Sequence, residues 1–307
     1  MKTEQFEVQM DQENTRLDKY LSMIYPDSSR ASFQKLIKNG DVLVNGRVQK
    51  ASYLIHAEDL VSVSIPEAAS TAIVPEDIPL DILYEDEDLL IVNKPKGMVV
   101  HPSAGHYSGT LVNAVMYHCK DSLSGINGEI RPGIVHRIDK DTTGSLIVCK
   151  NDQSHVKIAE QIKEHSVNRI YVGIVCGNLK EDEGTVEGAI GRHPTQRKKM
   201  AINEKNGKPA ITHFRIQERF GNFTFVRFRL ETGRTHQIRV HMASIGHPLL
   251  GDELYGGARS GFQQLQGQTL HAETIGFIHP STGEYMEFSA PLPDYFEKLL
   301  KQFRNHL

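Results

Sequence analysis

The sequence has few cysteines and lacks a long apolar run. Its three cysteines, Cys119, Cys149 and Cys176, are too few and too scattered for a disulfide framework or a paired metal-binding motif. No apolar stretch approaches the roughly 18 residues that a membrane helix needs. The polar and acidic beginning of the chain does not resemble a signal peptide. We therefore expect a protein of the reducing cytoplasm that does not enter a membrane.

Charge is unevenly distributed along the 307 residues, although the net charge is only −3. Residues 67–92 carry eight acidic side chains and no lysine or arginine. Residues 15–66 have seven basic against five acidic side chains, and residues 93–307 have twenty-seven against twenty-one. Two mildly basic blocks therefore flank an acidic stretch. This distribution permits a nucleic-acid partner without proving one, because binding depends on local patches rather than on the total charge.

The first basic block has the pattern of a small mixed domain with two helices and a short sheet. Apolar residues recur with helical spacing over 17–24 and again over 33–37, and Ser28 or Ser29 would cap the second helix. Asn45-Gly46 between short apolar runs is typical of a hairpin turn. The expected divisions are a lead-in over 1–14, this domain over 15–66, an acidic linker over 67–79 and a larger domain over 80–307.

The larger domain has more strands than helices, and many of its strands adjoin in sequence. This pattern predicts an α+β fold with a largely antiparallel mixed sheet. The helix predicted over 235–245 is expected to turn Ile238, Met242 and Ile245 inward. The predicted strands are 88–93, 145–149, 169–175, 210–219 and 223–230, and the predicted helices are 153–165, 235–245 and 294–306.

The segment HRIDKDTTG, residues 136–144, is a polar loop between two apolar runs. Such a loop presents its side chains at the rim of a sheet, where catalytic groups often lie. Asp139 is flanked by Arg137 and Lys140, which would keep it ionised as a nucleophile or a base. On local chemistry alone, an aspartate that ends a turn is the more common interpretation.

Several segments together resemble the RluA/RluD family of RNA pseudouridine synthases. HRIDKDTTG is similar to the HRLDxxTSG signature of that family, with Ile138 for leucine and Thr143 for serine. RLDKYL and GDVLVNG, near the beginning of the chain, resemble an S-four-type RNA-binding domain, which many RluD-like enzymes carry there. The other matching segments are YEDEDLLIVNKPKGMVVHP at 84–102, RIYVGIV at 169–175, LETGRTHQIRVHM at 230–242 and the tail up to residue 293.

The resemblance implies a pseudouridine-synthase catalytic domain that isomerises uridine within an RNA chain, without a metal or another cofactor. Asp139 matches the essential aspartate, Tyr171 the tyrosine that stacks on uracil, and Arg239 the arginine that pairs with the aspartate. Arg137 matches the arginine that fills the gap left by an extruded base, and base extrusion is needed to reach the target atoms. Without the match, Tyr171 would be read as a core aromatic and Arg239 as a surface charge.

The same segments supply further substrate-binding candidates. Arg234 is a candidate for a contact with phosphate or with the active site. His136 and Thr143 are candidates because they belong to the same signature segment as Asp139. The histidines of the chain lack the spacing of metal ligands, so we interpret His136, His236 and His241 as hydrogen-bonding groups and expect no metal.

Two basic segments are candidates for contacts with RNA phosphates. Solvated surface charge is the usual interpretation of such clusters, but an RNA enzyme requires phosphate contacts somewhere. The candidates are Arg16, Lys35 and Lys38 in the first domain and Arg197, Lys198 and Lys199 in the larger one.

Three functions remain to be compared. The first is a pseudouridine synthase that acts as a monomer on large-subunit ribosomal RNA. The second is a non-catalytic RNA-binding factor that keeps the fold as a scaffold. The third, a nucleosidase that uses Asp139 alone, lacks the second carboxylate of a recognised hydrolytic motif. His136 argues for the RluA side of the family, because the related RsuA-type enzymes typically carry a GRLD string.

Overall fold

The chain folds into two compact units, Met1–Thr71 and Ala72–Leu307. Each unit has its own buried apolar core. The computed structural model describes residues 2–25, 30–65, 73–102, 106–120, 122–126, 132–259 and 261–305.

The first unit is a four-stranded antiparallel sheet with two helices. Leu17, Tyr20 and Leu21 on the first helix are buried against the sheet strands, as their helical spacing predicts. Asn45 and Gly46 have positive φ angles of 50° and 74°, which the predicted hairpin turn requires. The proposed caps at 28 and 29 lie outside the described residues. The elements are β1 (Lys2–Glu7), α1 (Leu17–Ile24), α2 (Arg30–Asn39), β2 (Val42–Val44), β3 (Arg47–Val48) and β4 (Leu60–Ile65), with strand order β1-β4-β2-β3.

The expected lead-in over 1–14 is wrong for the part that forms β1. This strand pairs antiparallel with β4, from Lys2 opposite Ile65 to Glu7 opposite Leu60, and Val8 just after it is buried. The sequence KTEQFE gives little apolar signal because β1 is an edge strand with polar side chains on one face. Its main-chain hydrogen bonds to β4 carry the pairing, and these are not visible in the side-chain pattern.

The expected linker over 67–79 is also shorter than predicted. Residues 66–72 lie outside the described residues, but residues 73–79 belong to the second unit. Ile73 is buried in the core of that unit, and the Glu76 carboxylate accepts a hydrogen bond from the Gly109 amide at 3.1 Å. The acidic composition therefore marks a segment that is packed onto the second unit rather than a free connection.

The second unit is an α+β fold around a nine-stranded mixed sheet. Its strand order is β5-β6-β7-β14-β8-β13-β12-β9, with β15 paired to β14, and every pairing within it except β7 with β14 is antiparallel. The strands of this sheet are β5 (Ile82–Glu85), β6 (Leu89–Lys94), β7 (Thr143–Cys149), β8 (Asn168–Cys176), β9 (Glu183–Glu187), β12 (Ile211–Arg219), β13 (Phe223–Leu230), β14 (Leu270–Ile278) and β15 (Tyr285–Ser289). The strands β10 (Ile190–Arg192) and β11 (Met200–Ile202) pair with each other in a separate antiparallel hairpin. The helices are α3 (Leu111–Cys119), α4 (Asp152–Lys163), α5 (Gln237–Ser244) and α6 (Asp294–Arg304).

The central strand β8 contributes to a core on each face of the sheet. Tyr171 and Val175 belong to the core that also contains residues of α3 and α5, whereas Val172 and Ile174 pack in the core of α6. This alternation follows from the two-residue period of a strand. One face of the sheet thus carries Tyr171 toward α5.

Helix α5 differs from its prediction at its end. Ile238 and Met242 are buried as expected, but Ile245 is 40% exposed. The helix ends at Ser244, so Ile245 is its C-cap and leaves the buried stripe. The strands β5, β9, β10, β11, β14 and β15 and the helix α3 were not predicted from the periodicity of the sequence.

Candidate active site

Asp139 lies in the loop that leads into β7, and buried groups hold this loop in place. The Asp139 main-chain oxygen accepts a hydrogen bond from the Thr142 amide at 3.1 Å, which closes a turn. The next carbonyl, that of Lys140, accepts from the Gly97 amide at 3.0 Å and from Lys94 Nζ at 2.9 Å. The Lys94 ammonium also donates to the carbonyls of Pro95 and Met98, so all three of its donors are used. Burial lowers the pKa of Lys94 to about 7.

Arg239 joins Asp139 to a second aspartate, Asp252. Its Nη1 donates to Asp139 Oδ2 at 2.9 Å, while Nε and Nη2 form a fork on the two oxygens of Asp252 at 2.7 and 3.0 Å. Arg239 is 8% exposed and Asp252 is 1% exposed. Burial opposes the charge, but the hydrogen bonds to Asp252 and Asp139 raise the pKa of the guanidinium above its ordinary value. Arg239 is therefore a fixed cation against the Asp139 carboxylate.

Tyr171 faces Asp139 across a small cavity. The cavity has a volume of about 50 Å³, which is room for one or two water molecules. Tyr171 is 9% exposed, and burial raises the pKa of its hydroxyl. Asp139 is the single carboxylate among the described residues that line the cavity. The sequence prediction that Asp139, Tyr171 and Arg239 lie together therefore agrees with their placement around one cavity.

His236 and Tyr255 form a further wall of the site. His236 Nε2 lies 3.8 Å from Asp139 Oδ1, and its Nδ1 lies 2.8 Å from the Tyr255 hydroxyl. The same hydroxyl accepts the Met200 amide at 2.8 Å, and the Arg239 guanidinium lies 5.0 Å from the centre of the Tyr255 ring. Burial lowers the pKa of His236, so the neutral imidazole is favoured next to Asp139. His236 is thus a hydrogen-bonding group, as predicted, but it lies at the site.

Two of the predicted substrate-binding arginines line the cavity. Arg137 is exposed at its rim, and Arg234 is half-buried with its Nε donating to the Pro209 carbonyl at 3.1 Å. Both arginines also line a larger neighbouring cleft. They therefore border both the cavity of Asp139 and the adjoining cleft.

Thr143 does not line the cavity, which corrects its prediction as a substrate-binding residue. It is 2% exposed, and its hydroxyl lies 2.8 Å from His271 Nδ1 on the neighbouring strand β14. Thr143 is the first residue of β7, so its side chain points into the sheet layer, while Thr142 before it reaches the cavity. Of the two threonines of the signature, Thr142 is thus the one that lines the cavity, although it is only 1% exposed.

His136 is outside the cavity as well, but it lines the neighbouring cleft. Its Nε2 accepts the Ile147 amide at 3.0 Å, which fixes the Asp139 loop to strand β7. Burial lowers the pKa of His136 to about 3, so the imidazole stays neutral. A group that is neutral and already bonded to the backbone is a structural anchor of the loop.

We expect the His136→Gln variant to lose less stability in acid than the wild type does. An unfolded histidine takes up a proton near pH 6.5, whereas folded His136 does so only near pH 3, so native stability falls as the pH drops through this window. Glutamine keeps an acceptor for the Ile147 amide and does not titrate. Urea unfolding between pH 7 and 4.5 should show a slope smaller by up to about 1.4 kcal/mol per pH unit. His106→Gln, at an exposed histidine, is the control, and equal slopes for His136→Gln and wild type would contradict the assignment.

The basic segment of the second unit lies in the loop between β10 and β11. Arg197 and Lys198 are exposed, and Lys199 is half-buried with its Nζ 6.0 Å from the Tyr255 ring centre. The hairpin is tied to the site because the Met200 amide donates to the Tyr255 hydroxyl. Lys199 therefore lies near Tyr255, and Arg197 and Lys198 precede it in the same loop.

In the first unit, Lys35 and Lys38 are exposed on α2, but Arg16 is engaged in an ion pair. Arg16 donates through Nε and Nη2 to the buried Asp18 at 3.1 Å, and Arg30 and Gln34 bind the same carboxylate. Burial works against the charge of Asp18, but these hydrogen bonds lower the pKa of its carboxyl well below the usual range. Arg16 therefore contributes to the packing of α1 against α2.

Asp252, Tyr255 and Lys94 were missed by the sequence analysis. Asp252 and Tyr255 belong to GDELYG, which reads as an ordinary polar turn, and Lys94 belongs to NKPKG at the end of a strand. A lysine two residues after a run of four apolar residues was the one available signal, since a charged side chain that is buried there needs partners.

Within the described part of the chain, no helix is long and apolar enough to cross a membrane. In that same part, no group of three or more His, Cys, Asp or Glu side chains could hold a metal ion.

Comparison with known families matches both units. The sequence model described as RNA pseudouridylate synthase matches residues 88–244, which include Asp139, Tyr171 and Arg239, and the S4 domain model matches residues 15–61. The chain belongs to the RNA pseudouridylate synthase family and is an RNA pseudouridine synthase.

Individual relatives agree with this family over nearly their whole length. The chain is 50% identical over 296 residues to an uncharacterized RNA pseudouridine synthase of Bacillus subtilis, covering 96% of each chain. It is 45% identical over 310 residues to ribosomal large subunit pseudouridine synthase D of Zymomonas mobilis, covering 98% of each. Among solved structures, human RNA pseudouridylate synthase domain containing 1 superposes with a TM-score of 0.57 at 25% identity, over 78% of this chain and 98% of the human one.

Proposed function

We propose that the protein isomerises uridines to pseudouridines in large-subunit ribosomal RNA, with Asp139 acting on the bond between uracil and ribose. The observation that carries the proposal is the contact of Asp139 with the buried Arg239, whose other side is held by Asp252. The guanidinium orients the carboxylate toward the cavity, and a carboxylate can attack the sugar or stabilise positive charge on it.

The chemistry is balanced without a co-reactant. The bond from uracil nitrogen one to the sugar breaks, the base turns, and carbon five forms a new bond to the same sugar carbon. Carbon five then loses its proton and nitrogen one takes one up, so no electron is gained or lost. The proposal therefore includes no metal and no other cofactor.

Tyr171 and Arg137 are proposed to handle the extruded base. The Tyr171 ring borders the cavity and can stack on uracil, and its hydroxyl can take part in removing the proton from carbon five. Arg137 is exposed at the rim, where it can fill the gap that the base leaves in the RNA. Because the cavity has only about 50 Å³, we propose that its walls move apart when the base enters.

Large-subunit ribosomal RNA is proposed as the substrate because several relatives of 41–45% identity bear the name ribosomal large subunit pseudouridine synthase D. The S4 domain match and the exposed Lys35 and Lys38 support a contribution of the first unit to RNA affinity. Arg197 and Lys198 are proposed to contact phosphates near the site, where they would add affinity without reading the sequence.

A cytoplasmic location follows from this proposed substrate. We also propose that the protein acts as a monomer. A nucleosidase would need a second carboxylate to activate water, and Asp252 is occupied by Arg239 and does not line the cavity.

The test is tritium release from RNA that carries tritium at carbon five of uridine. We expect release from transcripts of large-subunit ribosomal RNA and none from small-subunit RNA treated in parallel. Naked RNA and partly assembled subunits should both be tried, because loop shape affects recognition. Absence of release from every form of large-subunit RNA would contradict the proposal.

A further inference from the structure

A cleft of about 510 Å³ adjoins the catalytic cavity. Its volume is within the range of ligand-binding pockets. Arg137, Tyr171, Leu230 and Arg234 line both the cavity and this cleft. The two spaces are therefore neighbours with shared walls.

Arg169 is buried in the wall of the cleft, and no acidic side chain among the described residues pairs with it. It is 6% exposed, one of its amino groups donates to the Glu231 carbonyl at 3.2 Å, and its Nε has no hydrogen-bond partner among the described residues. The nearest charged groups that act on it include Arg234, which is also a cation. A buried guanidinium that no carboxylate compensates is costly, so its position indicates that an anion binds there.

The Arg169 guanidinium packs against the main chain at Gly233. A Cβ atom built on Gly233 would overlap Arg169 Nη1, so the space beside the arginine exists only because residue 233 has no side chain. Arg169 and Tyr171 are two residues apart on β8 and share one face of the strand, about 7 Å apart. This cation thus lies two residues along β8 from Tyr171, whose ring borders the cavity of Asp139, and on the same face of the strand.

The rim of the cleft adds further positive charge. Lys163 at the end of α4 and His165 just after it are exposed and line the cleft. None of the described lining residues carries a carboxylate. A space with this charge and size suits a phosphate group, which arginine can hold with two parallel hydrogen bonds.

We propose that the cleft of Arg137, Lys163, His165, Arg169 and Arg234 binds a backbone phosphodiester of the RNA, next to the uridine held at Asp139. This inference rests on the proposed function and adds the position of the neighbouring backbone to it. Arg169 is the buried end of this phosphate subsite, and Lys163 and His165 form its open end.

The experiment measures the affinity of the full-length protein for a large-subunit RNA fragment at several salt concentrations. Loss of one phosphate contact should reduce the slope of log affinity against log salt by about 0.7. We expect Arg169→Gln to weaken binding about tenfold with this smaller slope, and Arg169→Lys to restore part of both. Lys180→Gln, at an exposed lysine outside the cleft, is the charge control.

Two further variants keep the test decisive if Arg169→Gln does not fold. Gly233→Ala displaces the guanidinium while keeping its charge, and Lys163→Gln removes an exposed cation at the rim. We expect both to weaken binding, and unchanged affinity and salt slope in folded variants would overturn the phosphate subsite. Weaker binding with an unchanged slope would also overturn it, since the arginine would then only support β8. Failure of the proposed function would be seen separately, as absence of tritium release by the wild type.

Discussion

Replacing Asp139 with asparagine is expected to reduce pseudouridine formation by at least about a thousandfold while RNA affinity stays within about threefold of wild type. Asparagine has nearly the same shape and can still accept the hydrogen bond from Arg239 Nη1, so the cavity keeps its form. It cannot act as an anionic nucleophile or base, whichever step the carboxylate performs. The measurement is tritium release together with the dissociation constant for the same RNA.

The matched control is Asp77→Asn, which removes one negative charge at an exposed position of the same unit. This variant should turn over at the wild-type rate. If Asp139→Asn turned over like wild type, the catalytic assignment of Asp139 would be wrong. If wild type and Asp139→Asn both bound RNA but neither released tritium, the protein would be the non-catalytic RNA-binding factor.

The grouping of Asp139, Tyr171 and Arg239 could be predicted because three separate segments match one family in the expected order. Local patterns alone did not suffice, since an arginine on a helix is usually solvated. Arg239 is buried instead because Asp252, thirteen residues later, compensates its charge. That partner comes from a turn with no periodic pattern, and only the folded backbone brings it to the helix.

The prediction was weaker where it assigned roles to individual residues at the ends of strands. Thr142 and Thr143 are adjacent in the signature, yet one lines the cavity and the other bonds to His271. The start of β7 decides between them, and strand boundaries are uncertain by more than one residue in sequence reasoning. The strand β1 was missed for a related reason, because an edge strand can be polar and still pair through its backbone.

Arg239→Met is expected to lower both activity and stability, through two different aspartates. Turnover should fall at least about a hundredfold, because Asp139 loses the contact that orients it. The free energy of unfolding should fall by about 3–5 kcal/mol, because Asp252, at 1% exposure, keeps a buried charge without its partner. The measurements are tritium release and urea unfolding of the same preparations.

The double variant Arg239→Met/Asp252→Asn separates the two effects. Asparagine at position 252 removes the buried charge that has lost its partner. Its side-chain oxygen can still accept hydrogen bonds from the Leu254 and Tyr255 amides, which donate to Asp252 in the wild type. Stability should therefore recover most of its loss, while turnover should not recover, since Asp139 still lacks the guanidinium. Recovery of turnover together with stability would mean that Arg239 serves only the fold. If Arg239→Met alone were as stable as wild type, Arg239 would not be needed to offset the burial of Asp252. The two hydrogen bonds between these residues argue against that outcome.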